Sequence, residues 1–207
     1  MIDGPETLQT IRPVSRETLE RLKAFVALLE KWQRSHNLVA PSTLPRIWSR
    51  HVADSLQLLD HAPPTGGWVD LGSGGGLPGV VVAIAGDRPV TLIESVGKKA
   101  AFLREAGRIT GARLDVRHGR IEDVLPTIHR ESVAVISARA LANLTQLCDF
   151  AAPFVRVGAV ALFPKGQDVE SELTQATRYW SIRFDKRPSL TEPEATILIV
   201  KGLDSVA

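Results

Sequence analysis

The sequence is short of the residues that most often staple, ligate or anchor a chain. Its single cysteine, Cys148, sits among apolar neighbours such as Leu147 and Phe150, which excludes an internal disulfide and a cysteine-rich metal site. The five histidines, at 36, 51, 61, 118 and 129, fall at no metal-ligand spacing, so no metal is expected. The apolar run from Val80 to Ala85 is far below the roughly 20 residues needed to cross a bilayer. No terminal stretch has the basic, apolar, small-residue order of a secretion signal. An excess of one charge is missing too: 25 Lys and Arg face 23 Asp and Glu, a net of +2, so no strong basic field points to nucleic acid. These absences predict a soluble chain of the reducing cytoplasm with no membrane partner.

What is present suffices for one domain with a sizeable core: 207 residues, 44% of them hydrophobic. Arginine supplies 18 of the 25 cations, the side chain suited to bidentate phosphate contacts and base stacking; high-GC coding bias would have the same effect. Residues 1–14, with Gly4, Pro5 and Pro13, read as loosely ordered. From Ser15, a candidate N-cap, Leu19, Leu22, Phe25, Val26, Leu29 and Trp32 recur on one helical face. Pro41 and Pro45 lead into a second helix over about 46–60. Residues 1–62 thus read as a helical extension and 63–207 as a sheet domain, expected to act as a monomer.

The sheet domain keeps a regular beat. Strands are expected at 69–71, 90–93, 114–116, 133–136 and 157–163, with helices between them at 80–85, 97–107, 121–130 and 141–152. Such alternation predicts a mostly parallel sheet covered on both faces, an α/β fold. The last two strands, 182–184 and 196–200, are joined by under fifteen residues with Pro188 and Pro193 between them, which predicts an antiparallel edge hairpin and seven strands in all.

The stretch W-V-D-L-G-S-G-G-G-L-P-G at 68–79 organises the rest. A strand ending near Asp70, a tight turn through Gly72, Gly74, Gly75 and Gly76, and a helix opening near Pro78 let the backbone pass close to a nucleotide-like ligand. A P-loop would end in Lys and Ser or Thr, whereas this run ends in Leu77-Pro78-Gly79, so phosphate-centred ATP or GTP chemistry is not expected. Gly74, Gly76 and Gly79 do fall in the dinucleotide register. Asp70, a negative charge two residues ahead of the turn, is poorly placed beside a pyrophosphate. It suits a cation such as the amino group or sulfonium of S-adenosylmethionine, the cofactor favoured here.

Ligands of such sheets bind beyond the carboxyl ends of the strands. Glu94, about twenty residues past the glycine turn, is placed to accept ribose hydroxyls or to be a solvated strand-end acid. Ile121 and Glu122 would bring a backbone N–H and an apolar side chain to an adenine ring, though Glu122 also suits an ordinary helix first turn. Arg139 and Lys165, past the fourth and fifth strands, could hold phosphate or base, or merely pair with acids; neither is a convincing general base. In R-H-x-x-D-S at 50–55, Arg50, His51 and Asp54 share a helical face, and such a pair is most often structural.

The chain resembles the bacterial glucose-inhibited division protein B family, which methylates N7 of a guanine in 16S ribosomal RNA. The likeness is densest in W-Q-R-S-H-N-L at 32–38, R-H-V-A-D-S at 50–55, D-L-G-S-G-G-G-L-P-G at 70–79, E-S-V-G-K-K-A-A-F-L at 94–103, S-R-A at 137–139 and K-G-Q at 165–167. Gln33, Val39 and Gly75 depart from residues common in the family. The resemblance implies a Rossmann-like class I S-adenosylmethionine-dependent methyltransferase. Its cofactor contacts would fall on Gly72, Leu77, the backbone at Ile121–Glu122, and Arg139, with Asp70, Gly74, Gly76 and Glu94 completing the pocket. Arg139 and Lys165 would serve the reaction, and Lys165 with the Arg50/His51 face would lie near the RNA. The expected partner is 16S ribosomal RNA within the small subunit or an assembly intermediate. The rival readings are a methyltransferase for a small molecule or protein, a non-catalytic RNA-binding module and, last, a nicotinamide-dependent oxidoreductase.

Overall fold

The structure, a computed structural model, describes residues 3–206. One seven-stranded sheet runs through it in the order β3-β2-β1-β4-β5-β7-β6. Its strands are β1 (Gly67–Leu71), β2 (Val90–Glu94), β3 (Leu114–His118), β4 (Val133–Ala138), β5 (Val160–Lys165), β6 (Trp180–Pro188) and β7 (Thr196–Ser205). The first five are mutually parallel, while β7 runs antiparallel to both β5 and β6. The reversal of strand order between β1 and β4 opens the crevice in which such sheets bind ligands.

The helical elements are α1 (Thr7–Ile11), α2 (Arg16–Gln33), α3 (Asp54–Leu56), α4 (Gly79–Gly86), α5 (Gly97–Thr110), α6 (Ile121–Val124), α7 (Leu144–Val155) and α8 (Val169–Ala176). Ser15 caps α2 as its position suggests, its side chain accepting from the Thr18 amide at 3.1 Å, a contact worth roughly 1 kcal/mol. The buried face of α2, with Leu22, Phe25 and Leu29, packs in one core with Val52 and Leu56 of the extension and with Val80 to Ile84, Phe102 and Trp68 beneath the sheet. Each such side chain contributes about 1.5–3 kcal/mol on full burial.

Four expectations need correction. Residues 7–11 are helical rather than loose, because Leu8 is buried in that core, and Asp3 holds the amides of Trp48 and Ser49 at 2.8 and 2.9 Å. The second helix is not regular: a 3₁₀ turn at Pro41–Arg46 leads to a π-helical turn at Trp48–Ala53, then α3 and another 3₁₀ turn at Gln57–His61. Helix α8 was absent from the expected pattern, although Val169, Leu173 and Ala176 recur at helical spacing and are all buried. The helix expected at 141–152 starts later, at Leu144, because Asn143 caps it by accepting from the Gln146 amide at 3.0 Å. Residues 139–143 are thereby left as a loop at the sheet's ligand-binding edge.

Candidate active site

The glycine turn is tied to the end of β2. The Ser73 amide donates to the Ile93 carbonyl at 3.0 Å. Glu94, 5% exposed, accepts from the Gly74 amide with one carboxylate oxygen and from the Val96 amide with the other, each at 2.8 Å. Gly72 needs to be glycine: its φ is +60°, and a Cβ would lie 2.5 Å from Leu141 Cδ1. A Cβ on Gly74 would meet nothing nearer than the Gly72 carbonyl oxygen at 3.7 Å, so the space beside it is open.

Two cavities meet at this turn, sharing Gly72, Gly74, Lys99, Ala140 and Ala142. The larger, about 570 Å³, reaches from the turn to the helical extension and the hairpin, and Leu77, His51, Asp54, Arg139, Lys165 and Glu172 line it. The smaller, about 360 Å³, runs along the ends of β2 and β3, lined by Glu94, Ile121 and Glu122. Ala140, between them, has a φ of +51°, a conformation that costs a non-glycine residue roughly 1 kcal/mol.

Asp70 lies beneath the turn rather than in either cavity and is 1% exposed. Trp68 Nε1 donates to Ser137 Oγ at 2.7 Å, which donates to Asp70 Oδ1 at 2.6 Å. Its other oxygen has no hydrogen-bond partner. Burial pushes this carboxyl up to about 6, against the pull of the Ser137 and Ser73 hydroxyls and the Arg139 charge. Gly76 also stands back from both cavities, facing Val80 and Leu103.

Arg139 is held from the helical extension. Its Nη2 donates to His51 Nδ1 at 2.5 Å, and its Nη1 lies 3.4 Å from Asp54 Oδ2, an ion pair without hydrogen-bond geometry. Burial lowers the affinity of Arg139 for its proton, with Asp54 opposing. His51 is driven down to about 3, chiefly by burial and then by the charges of Arg139 and Arg50, so its ring is neutral. Lys165 is committed elsewhere, donating to Glu172 Oε2 at 2.7 Å and to the Ala142 carbonyl at 3.2 Å. The same Glu172 oxygen accepts from the Leu144 amide at 2.7 Å.

Most residues singled out in the sequence therefore reach one cleft: Gly72, Gly74, Leu77, Glu94, Ile121, Glu122, Arg139 and Lys165 line it, while Asp70 and Gly76 support it from behind. Sequence reasoning missed Lys99 and Glu172, and also the hairpin residues Ser189 and Thr191, whose side chains carry no local signal of their distant partners Gln57 and Asp54. It also left Asp54 as an ordinary structural acid.

The family described as rRNA small subunit methyltransferase G, GidB, matches residues 18–197. The chain belongs to this family. It is 58% identical over 198 residues to the Ribosomal RNA small subunit methyltransferase G of Bradyrhizobium sp. (strain BTAi1), covering 94% of this chain and 89% of the relative. The protein of the same name from Methylobacterium nodulans is 49% identical over 195 residues, covering 92% and 91%. Among solved structures, an O-methyltransferase from Bacillus cereus in complex with SAH superposes with a TM-score of 0.57 at 15% identity over 94% of each chain. TYW2 of M. jannaschii in complex with AdoMet does so at 0.55 and 11%, over 77% and 78%. These likenesses establish the Rossmann-like class I methyltransferase fold, and GidB membership makes the chain an rRNA methyltransferase. No described helix is long and apolar enough to cross a membrane.

Proposed function

We propose that the cleft takes S-adenosylmethionine as methyl donor and presents it to N7 of a guanine in 16S ribosomal RNA, within the small subunit or an assembly intermediate. The observation that carries this reading is the pair of cavities meeting at Gly72 and Gly74, one lined by Glu94, Glu122 and the backbone of the strand ends, the other by Arg50, Arg139 and Lys165 with the acids Asp54 and Glu172. The residues fit such a donor: the open space at Gly74 admits a ligand against the backbone. Glu94 keeps spare lone pairs for ribose hydroxyls after bonding Gly74 and Val96. Ile121 and Glu122 flank the adenine end of the smaller cavity.

When bound, the donor supplies a methyl group on a positively charged sulfur. Guanine N7 offers a lone pair and no proton, so the protein's task is alignment and exclusion of water rather than proton removal. His51 suits that division of labour, since its neutral ring is engaged with Arg139 and is not a free base. Arg139 orients phosphate or base from the larger cavity, and Lys165, ion-paired with Glu172, adds its charge to the same wall. We further place the reaction in the cytoplasm, with the chain acting as a monomer of two units, 1–62 and 63–207.

The test is incubation with methyl-labelled donor and small subunits from a strain lacking the enzyme, followed by mapping and N7-specific strand cleavage. One labelled guanine cleaved at N7 is expected. Donor binding without transfer to any ribosomal RNA overturns the proposal in favour of a binding module, and label on another atom overturns the N7 assignment.

A further inference from the structure

A buried charged cluster joins the helical extension to the end of β4, and the reading above does not explain it. Asp54, 4% exposed, accepts at Oδ1 from Thr191 Oγ1 at 2.8 Å and Gln57 Nε2 at 2.9 Å, leaving Oδ2 toward Arg139 Nη1. His51 accepts from Arg139 Nη2 through Nδ1, which it can do only with its proton on Nε2. That proton is donated to Thr43 Oγ1 at 2.7 Å, and the Thr43 hydroxyl donates in turn to the Ala40 carbonyl at 2.7 Å. Each donor in this relay has an acceptor, with one exception: Arg139 Nη1 is buried and makes no hydrogen bond.

The end of β4 offers the guanidinium no side-chain acceptor of its own, so the extension supplies the two that hold it. The π-helical turn at Trp48–Ala53 runs straight into Asp54 and carries His51 to the same charge. We propose that His51 and Asp54 are positioning residues that fix the plane of Arg139 in the larger cavity, Nη2 held by His51 and Nη1 by the Asp54 carboxylate, so that the 16%-exposed edge of its side chain meets an anionic group of donor or RNA. This rests on Arg139 having a role in the site. It gives the helical extension a part in the reaction: it completes the cleft and sets the geometry of a side chain on the sheet.

The test is a set of double-mutant cycles read as kcat and KM for methyl transfer to small subunits, with thermal melting of each variant. Asp54→Asn removes the charge with little change in shape; His51→Leu removes the acceptor; His51→Gln keeps an acceptor for Arg139 and a donor for Thr43. Asp54→Asn and His51→Leu are each expected to lower kcat/KM by about 10-fold, and His51→Gln by less than about 3-fold. In an Arg139→Ala background, Asp54→Asn and His51→Leu are expected to cost nothing further. The same loss in that background overturns the positioning role, as does a His51→Gln variant as slow as His51→Leu. An Arg139→Ala enzyme with the wild-type rate instead overturns the role of Arg139 itself. Should Asp54→Asn fail to fold, the His51 cycle decides alone.

Discussion

The contacts that shape the smaller cavity are local along the chain: Glu94 bonds Gly74, twenty residues before it, and Val96, two after it. Those of the larger cavity join residues 88 apart, His51 and Arg139, and 137 apart, Asp54 and Thr191. One cavity is a strand-end device whose carboxylate grips the glycine turn once β1 and β2 pair, its far wall added by the segments after β3 and β4. The other is assembled from three regions that meet only in the finished fold. The difference teaches that, under the function proposed above, donor recognition rests on short-range geometry and orientation of the RNA on long-range packing of the extension and the hairpin.

Substitutions should therefore separate the two cavities. The largest effect is expected from Gly72→Val, at the point both share: the left-handed backbone and the clash with Leu141 should weaken donor binding by more than about 100-fold in calorimetry. Near-normal affinity would displace the donor from this turn. Next, Arg139→Ala should lower kcat/KM for methyl transfer about 100-fold, with a smaller change in donor affinity. Equal losses in both would erase the distinction between the cavities. Glu94→Gln should raise the donor Kd about 10-fold by loosening the hold on Gly74 and leave the KM for small subunits unchanged.

The smallest effect is in the pH dependence of stability, where the two regions should have opposite signs. His51 is held well below its unfolded value, so the stability it contributes is present above pH 6.5 and lost as pH falls toward about 3. Relative to His51→Gln, the wild type should lose roughly 1–2 kcal/mol between pH 8 and pH 5 in denaturant titrations. Asp70 is raised to about 6, so its contribution is fullest below its unfolded value near 3.8 and lost as pH rises through about 6. An Asp70→Asn protein should gain on the wild type across that rise. A wild type and His51→Gln pair with parallel pH profiles would show that His51 titrates in the fold as it does in the unfolded chain.

The same contrast explains what was legible in the sequence. The strand, glycine turn and acid of 67–94 could be read directly, because a short apolar run and glycines at a turn are local patterns. The parallel alternation and the antiparallel hairpin followed from the spacing of elements, whereas the strand order did not. The irregular winding at 41–61 did not, since Pro45 inside the first turn and the π-helical step answer to burial of Trp48, His51 and Val52 against the core. Nor did the commitment of Lys165 to Glu172, because α8, which carries that acid, has only three buried apolar residues to announce it. Asp54 shows the limit most plainly: its neighbours in sequence mark a helix face, while its partners lie past β4 and β6.

The grip of Thr191 on Asp54 also sets a schedule. A chain synthesised from its N-terminus can pair β1 with β2 early, yet it cannot finish the cavity around Arg139 until residue 191 has emerged and folded back onto the extension. Nascent or truncated chains ending before that residue hold the glycine turn on Glu94 without the Thr191 clasp on Asp54, and the cleft around Arg139 becomes whole only as the last hairpin closes.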